Sequence, residues 1–317
     1  MCRWAAYLGR PIYLEDIVSR PGHSLVRQSH GATRCATSVN ADGFGIAWYG
    51  DRDEPGLYRD VMPAWSDPNL RSLTATVKSH LFMAHVRAST GTATSRNNCH
   101  PFAVGKWSFM HNGQFGGYDS WRRSAELLIP NDAYRHRKGA TDSEALFLCA
   151  LGEGLQQDPR GALARATARF EALARQRGTA PHVRLTCAFS DGVRLYAVRY
   201  ASDDQAPTLY HRWSATRGGR AVVSEPIESD ELDWFEVPPG AFCTFEGESV
   251  TIAPLLCSQT AWLPEVPGPI VPRRPPVCAR SSSRWSRMTQ AAIASATGTA
   301  RIPTQGSWRP LVTSSIS

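Results

Sequence analysis

Residues 184–200 read RLTCAFSDGVRLYAVRY, and this stretch decides the fold class. Two runs rich in apolar, β-branched and aromatic residues, Arg184–Ser190 and Val193–Tyr200, flank Asp191-Gly192, a dipeptide able to supply the positive φ values of a two-residue turn. The stretch therefore predicts an antiparallel hairpin. Immediately upstream, Asp158 as cap, Pro159 at the first position, Leu163, Phe170 and Leu173 on one face and Gly178 as stop predict a helix. Further upstream, Thr141-Asp142-Ser143-Glu144 ahead of Ala145-Leu146-Phe147-Leu148 reads as a capping box, in which the Thr hydroxyl and Glu carboxylate satisfy orphan amides reciprocally. Other strand candidates are Gly45–Tyr49, Leu81–Arg87, Trp107–His111, Ala221–Ser224 and Ala241–Phe245. Hairpins with segregated helices, and no strict βαβ period, indicate an α+β domain over residues 1–256.

From residue 257 to 317 the texture changes to a Pro-, Ser- and Arg-rich stretch with eight prolines and no apolar period. Such a segment buries too little apolar area to offset its ordering entropy, and disorder is expected. It holds seven arginines against one acid, Glu265, and so carries +6 of the net +7 of the 317-residue chain. The body is nearly neutral, which argues against a nucleic-acid-binding core. No apolar run approaches the ~20 residues of a membrane span. The N-terminus lacks a charged region followed by a long apolar one, and the eight cysteines (2, 35, 99, 149, 187, 243, 257 and 278) form no CxxC pair. Neither a secretory signal, a disulfide framework nor a zinc ribbon is suggested, so a cytoplasmic protein is expected.

Cys2 is the first residue of chemical interest. Methionine is usually removed ahead of a small side chain, which would leave Cys2 with a thiol and a free α-amino group. Ordinary pKa values of ~7.7–8.0 for the amine and ~8.5 for the thiol bracket neutral pH, so the amine can serve as base for the thiol without a histidine. Arg87, in His85-Val86-Arg87-Ala88-Ser89-Thr90-Gly91, ends a strand with a guanidinium suited to bidentate capture of a carboxylate, or is a surface Arg. In Met110-His111-Asn112-Gly113-Gln114, Asn112 and Gly113 are either a turn or two hydrogen-bond donors converging on one point, as an oxyanion hole requires. Asp142 lies in the first turn of a helix, where it caps the dipole or neutralises a substrate ammonium. A metal site built from His85, His100, His111 and Cys99 is disfavoured because Cys99 and His100 are adjacent. Cys35, Cys149, Cys187 and Cys243 sit in apolar contexts and read as core.

The order of these pieces, Cys2, then Asn40-Ala41-Asp42-Gly43-Phe44-Gly45, Arg87 with Thr90, Asn112-Gly113 and Thr141-Asp142-Ser143-Glu144, resembles the class II glutamine amidotransferases of the N-terminal nucleophile hydrolase superfamily. Within them the chain looks similar to the stand-alone YafJ type, sharing Met1-Cys2-Arg3-Trp4, Gly43-Phe44-Gly45-Ile46-Ala47-Trp48-Tyr49 and Val223-Ser224-Glu225-Pro226. The resemblance implies a four-layer αββα sandwich of two antiparallel sheets. It implies Cys2 as nucleophile with its own amine as base, and Arg87 and Thr90 on the glutamine α-carboxylate. Asp142 would take the α-amino group, while Asn112 and Gly113 form the oxyanion hole. No metal or cofactor is implied. Two positions depart from the pattern of many relatives: Asn40-Ala41 stands in place of Arg-Gly, and Ala88 in place of an aromatic. The loops over the substrate should differ accordingly, and a γ-glutamyl amide stands beside glutamine as a possible substrate.

Beyond residue 256 no synthase module is recognisable. Either ammonia passes to a separate synthase, or the enzyme is a hydrolase in its own right, similar to the branch that cleaves γ-glutamyl amides in thiohistidine biosynthesis. A non-catalytic scaffold whose basic tail holds an acidic partner is the competing reading from another class. The presence of Cys2, Arg87, Asn112, Gly113 and Asp142 together speaks against it.

Overall fold

The computed structural model describes residues 2–33, 39–89, 91–228 and 233–256. Thr90, Cys35 and the expected tail 257–317 lie outside the described residues. The chain begins with β1 (Arg3–Tyr13), α1 (Glu15–Val18), α2 (Leu25–His30), β2 (Phe44–Trp48), β3 (Gly56–Asp60), α3 (Pro68–Thr76) and β4 (Lys78–Val86). It continues through β5 (Phe102–Val104), β6 (Trp107–Phe115), α4 (Tyr118–Glu126), α5 (Asn131–Tyr134), α6 (Asp142–Gly152), α7 (Pro159–Gln176) and β7 (Val183–Ser190). It closes with β8 (Leu195–Ala201), β9 (Tyr210–Ser214), β10 (Gly219–Val223), β11 (Phe235–Glu236), β12 (Ala241–Glu246) and β13 (Ser249–Pro254). These strands form two antiparallel sheets, one ordered β11-β9-β10-β1-β4-β2-β3 and the other β13-β12-β8-β7-β6-β5.

Side-chain alternation along the strands produces the layers. On β1, Trp4, Ala6 and Leu8 meet Met110, Ala188, Leu195, Ala197 and Phe245 of the second sheet, which makes the central core. Ala5 and Tyr7 point the other way, onto Ile17 and Val18 of α1 and Leu25 of α2. On the second sheet, Phe109, Val183, Leu185, Cys187, Phe189 and Val198 face outward onto Trp121, Leu146, Phe147, Leu163 and Phe170 from α4, α6 and α7. Helices outside and two sheets inside give the expected αββα sandwich. Cys149, Cys187 and Cys243 are buried in these cores, as their contexts suggested. No helix among the described residues is long and apolar enough to cross a membrane.

Three local expectations need correction. The hairpin joining β7 to β8 forms, but its loop has four residues: Ser190 pairs with Leu195, and Asp191 Oδ1 accepts from the amides of Val193 and Arg194 at 3.0 and 2.8 Å. The Asp side chain closes the turn, an Asx arrangement that a two-residue loop lacks. The strand expected to stop at His111 runs on to Phe115, because Asn112, Gly113 and Gln114 pair with Thr186, Leu185 and Arg184. The capping box is half formed. Thr141 accepts from the Glu144 amide at 3.2 Å, whereas the Glu144 carboxylate takes the amides of Lys138 and Gly139 and the Arg137 guanidinium.

Candidate active site

The two sheets are tied together at one end of the sandwich, and the sequence-derived site residues collect there. From β1 the Trp4 indole donates to the Thr186 carbonyl at 3.2 Å, and Thr186 is the cross-strand partner of Asn112. From β4, His85 Nε2 donates to the His111 carbonyl on β6 at 3.2 Å. The strand that Cys2 leads into therefore faces the strand that carries Asn112 and Gly113. Beside them opens a cavity of about 440 Å³ whose walls include Cys2, Arg87, Gly113 and Asp142.

Cys2 precedes β1 and is partly buried, with its sulfur 3.5 Å from both the N–H and the C=O of Ala88. Burial pushes the thiol up, against the opposing pull of the Ala88 amide, the N-terminal charge, Arg87 and Arg3. A thiol so raised needs a base before its sulfur can attack. Position 88 meets the cysteine through its backbone, so an alanine there costs this contact nothing.

Arg87 follows β4 directly and is almost fully buried. Its guanidinium donates to the Asp42 carbonyl at 3.3 Å, the Ser89 hydroxyl at 3.1 Å and the Thr92 hydroxyl at 2.6 Å. All three acceptors are neutral. Asp42 contributes indirectly, since its Oδ2 accepts from the Ser89 amide at 2.7 Å and so joins the 40–43 loop to the 87–92 loop. Ser89 and Thr92 were missed by sequence reasoning; the hydroxyl-rich run after Arg87 was the available signal. Of the expected carboxylate-binding pair, Arg87 lines the cavity and Thr90 lies outside the described residues.

Asp142 opens α6 and also lines the cavity. Its Oδ2 accepts from the Phe115 amide at 2.9 Å, and its Oδ1 from the Ser143 amide at 2.8 Å. Like Arg87, it has no salt-bridge partner among the described residues. Ser143 also bonds His111 Nδ1 at 2.9 Å, while His111 Nε2 lies 3.2 Å from the Arg184 carbonyl and must be the protonated nitrogen. Burial lowers His111, with Asp142 pulling the other way. Asp142 is thereby fixed to both the end of β6 and a neutral imidazole.

Gly113 lines the cavity with φ of +150°, and a Cβ there would stand 1.8 Å from the Arg184 carbonyl oxygen. Only glycine permits that approach. Asn112 is fully buried beside it, and among the described residues neither its amide nitrogen nor its oxygen has a hydrogen-bond partner. His100 also lines the cavity, with neither ring nitrogen partnered among the described residues and its ring 4.3 Å from that of His85. Burial holds His85 down to about 3 and His100 well below its ordinary range, so both are neutral. Among the described residues no group of three His, Cys, Asp or Glu side chains could hold a metal ion.

An αββα sandwich with this topology is the fold of the N-terminal nucleophile hydrolases, and solved structures agree: a phosphoribosylpyrophosphate amidotransferase from B. subtilis matches 80% of this chain and 49% of its own at a TM-score of 0.54 and 14% identity. A glutamine aminotransferase class-II domain protein from Silicibacter pomeroyi matches 80% of this chain and 99% of its own, at a TM-score of 0.66 and 50% identity. The family model for class-II glutamine amidotransferases matches residues 24–210. The chain belongs to the class II glutamine amidotransferases, a family of enzymes. It is 30% identical to a probable glutamine amidotransferase, DUG3, of Saccharomyces cerevisiae over 81% of this chain and 85% of that one. It is 26% identical to a gamma-glutamyl-hercynylcysteine sulfoxide hydrolase of Mycolicibacterium smegmatis over 80% of this chain and the whole of that one.

Proposed function

We propose that the enzyme hydrolyses the side-chain amide of glutamine through a thioester on Cys2, releasing ammonia and glutamate. One observation carries the reading: a single cavity presents, next to a cysteine, a buried cation and a carboxylate that have no ion-pair partners among the described residues. A buried charge without a counter-ion is costly, and an α-amino acid zwitterion would supply both. Arg87 takes the α-carboxylate and Asp142 the α-ammonium.

Met1 is removed and the freed amine of Cys2 accepts the thiol proton. The sulfur adds to the amide carbon, and the oxyanion receives N–H donation from the Asn112 side chain and Gly113. The protonated amine then delivers its proton to the leaving nitrogen, the C–N bond breaks and a γ-glutamyl thioester remains. Water adds to the thioester carbonyl, giving up a proton to the amine, and glutamate leaves with the thiol restored. Asn112 supports this assignment because its amide is buried with nothing to bond, the condition of a donor whose partner arrives with the substrate.

A second reading, a γ-glutamyl amide with a larger leaving amine, is favoured by the size of the site. A cavity of about 440 Å³ equals roughly fifteen water volumes at ~30 Å³ each, more than a ten-atom amino acid fills. In the glutamine reading the ammonia passes to a separate synthase; in this one no acceptor is needed. The test is turnover of glutamine and of a γ-glutamyl dipeptide by protein whose first residue is verified as Cys2. Cys2→Ala and a form retaining one residue ahead of Cys2 should both be inactive; full activity in either overturns the mechanism.

A further inference from the structure

Behind the nucleophile lies a buried ion pair that the reaction does not touch. Arg3, adjacent to Cys2, is fully buried, and its Nε donates to Glu225 Oε2 at 2.9 Å. A second nitrogen of the same guanidinium donates to the Cys2 carbonyl at 3.2 Å. Glu225, 1% exposed, also takes His23 Nε2 at 2.7 Å and the Thr33 amide and hydroxyl at 3.0 and 2.7 Å. Burial would raise its pKa, but the Thr33 and His23 hydrogen bonds and Arg3 outweigh it and hold the carboxyl at about 2. The residue before it, Ser224, bonds Trp4 on both sides, its hydroxyl accepting from the Trp4 amide at 3.0 Å and its own amide donating to the Trp4 carbonyl at 3.0 Å.

We propose that Glu225 is a positioning residue for the nucleophile, neutralising and aiming the Arg3 guanidinium so that it grips the Cys2 carbonyl and sets the direction of the Cys2 amine and thiol. A chain terminus frays unless it is tied down, and here the terminus is the reacting group. The carbonyl of Cys2 is held from the side by the Arg3 guanidinium. A guanidinium can occupy that place only with a buried counter-charge. A misplacement of about 1 Å at a reacting atom costs roughly 10²-fold in rate. The pair also sets the local field, since the Arg3 charge favours the thiolate and Glu225 offsets that charge.

This inference rests on Cys2 as nucleophile, so the test includes a readout independent of turnover: the pH dependence of Cys2 alkylation by iodoacetamide, followed by peptide mass spectrometry. In Glu225→Gln the loss of the carboxylate charge beside Arg3 should move the alkylation midpoint down by roughly one pH unit, and in Arg3→Gln the loss of the guanidinium charge should move it up. In folded Glu225→Gln, kcat for γ-glutamyl amide hydrolysis should fall about 10- to 100-fold with KM within about twofold. Should Glu225→Gln not fold, Thr33→Val removes one donor to the carboxylate and Arg3→Lys keeps the charge without the second N–H; each should lower kcat several-fold at unchanged KM. Unchanged kcat and an unmoved midpoint in the folded variants overturn the proposal, as does a kcat loss that only tracks the folded fraction. Full turnover in Cys2→Ala instead overturns the nucleophile, while the midpoints still report on Glu225 and Arg3.

Discussion

Asn112→Leu should make the protein more stable and nearly inactive at once. Asn112 projects from the inner face of β6, the face that also carries Met110 of the central core, and is fully buried with neither amide atom hydrogen-bonded. A buried amide without partners costs about 1–3 kcal/mol by protein mutational measures. Leucine has the same branching and number of side-chain heavy atoms and no polar atom but is bulkier, so the exchange should return that stability less the cost of seating two methyl groups. For a domain of this size each kcal/mol moves the melting temperature by roughly 2–4 °C, so a rise of a few degrees is expected. Turnover should move the other way: loss of one oxyanion donor costs roughly 10²–10³ in kcat, or about 2.7–4 kcal/mol of transition-state stabilisation. Calorimetry and steady-state hydrolysis of a γ-glutamyl amide measure the two quantities on one preparation. Asn112→Asp, which keeps the volume but cannot donate when ionised, should share the kinetic loss. A lowered melting temperature with intact kcat would refute the reasoning, because it would mean the amide is bonded in the resting protein and serves the fold.

Asp142→Asn should raise KM more than it lowers kcat, since the substrate ammonium does not change charge during the reaction; equal losses in the two parameters would assign Asp142 to the transition state. Acid should weaken the fold before any carboxylate titrates: burial lowers His85 from its ordinary 6.5 to about 3, so the unfolded chain binds the proton first and stability, full above pH 6.5, drains away below it. His85 alone should remove about 2 kcal/mol between pH 7.5 and 5.0, with His100, His111 and His211 acting in the same sense, whereas Glu225, held at about 2, contributes only below about pH 4.5. Urea denaturation across that interval checks this, and a flat free energy would contradict it. A chain ending at residue 256 should keep its melting transition and its amide hydrolysis, because the tail supplies no site residue; loss of either would count the tail as structure.

Much of the sandwich was legible wherever one side chain announced a local geometry. Asp158 and Pro159 start α7 as read, with Asp158 accepting from the Gly161 amide at 2.9 Å, and Asp191-Gly192 marks the β7–β8 connection even though the loop is longer than a two-residue turn. The longest strand, β1, was not legible. Its sequence, RWAAYLGRPIY, shows no polar alternation because β4 and β10 flank it and cores cover both faces, and Pro11 falls in the register shift between Leu8 and Ile12. The end of β6 was misjudged for a related reason. Asn-Gly favours a turn in isolation, but the ladder with β7 holds Gly113 extended at a φ only glycine tolerates.

The site divides along the same line. Cys2, Arg87, Asn112, Gly113 and Asp142 could be named from sequence because their order along the chain resembles the class II glutamine amidotransferases, although each taken singly has an ordinary structural reading. The groups that fix them are ordinary in sequence and acquire a role only through the fold: Ser89 and Thr92 on the Arg87 guanidinium, Phe115 and Ser143 on the Asp142 carboxylate, Trp4 on Thr186. Arg3 and Glu225 are the extreme case, a contact across 222 positions of chain. No helical or strand period could bring that pair together, because Glu225 follows β10, a strand from far along the chain that pairs with β1. The geometry of Cys2 therefore depends on a segment far along the chain, and the proposed nucleophile is held in place only when β10 has closed against β1.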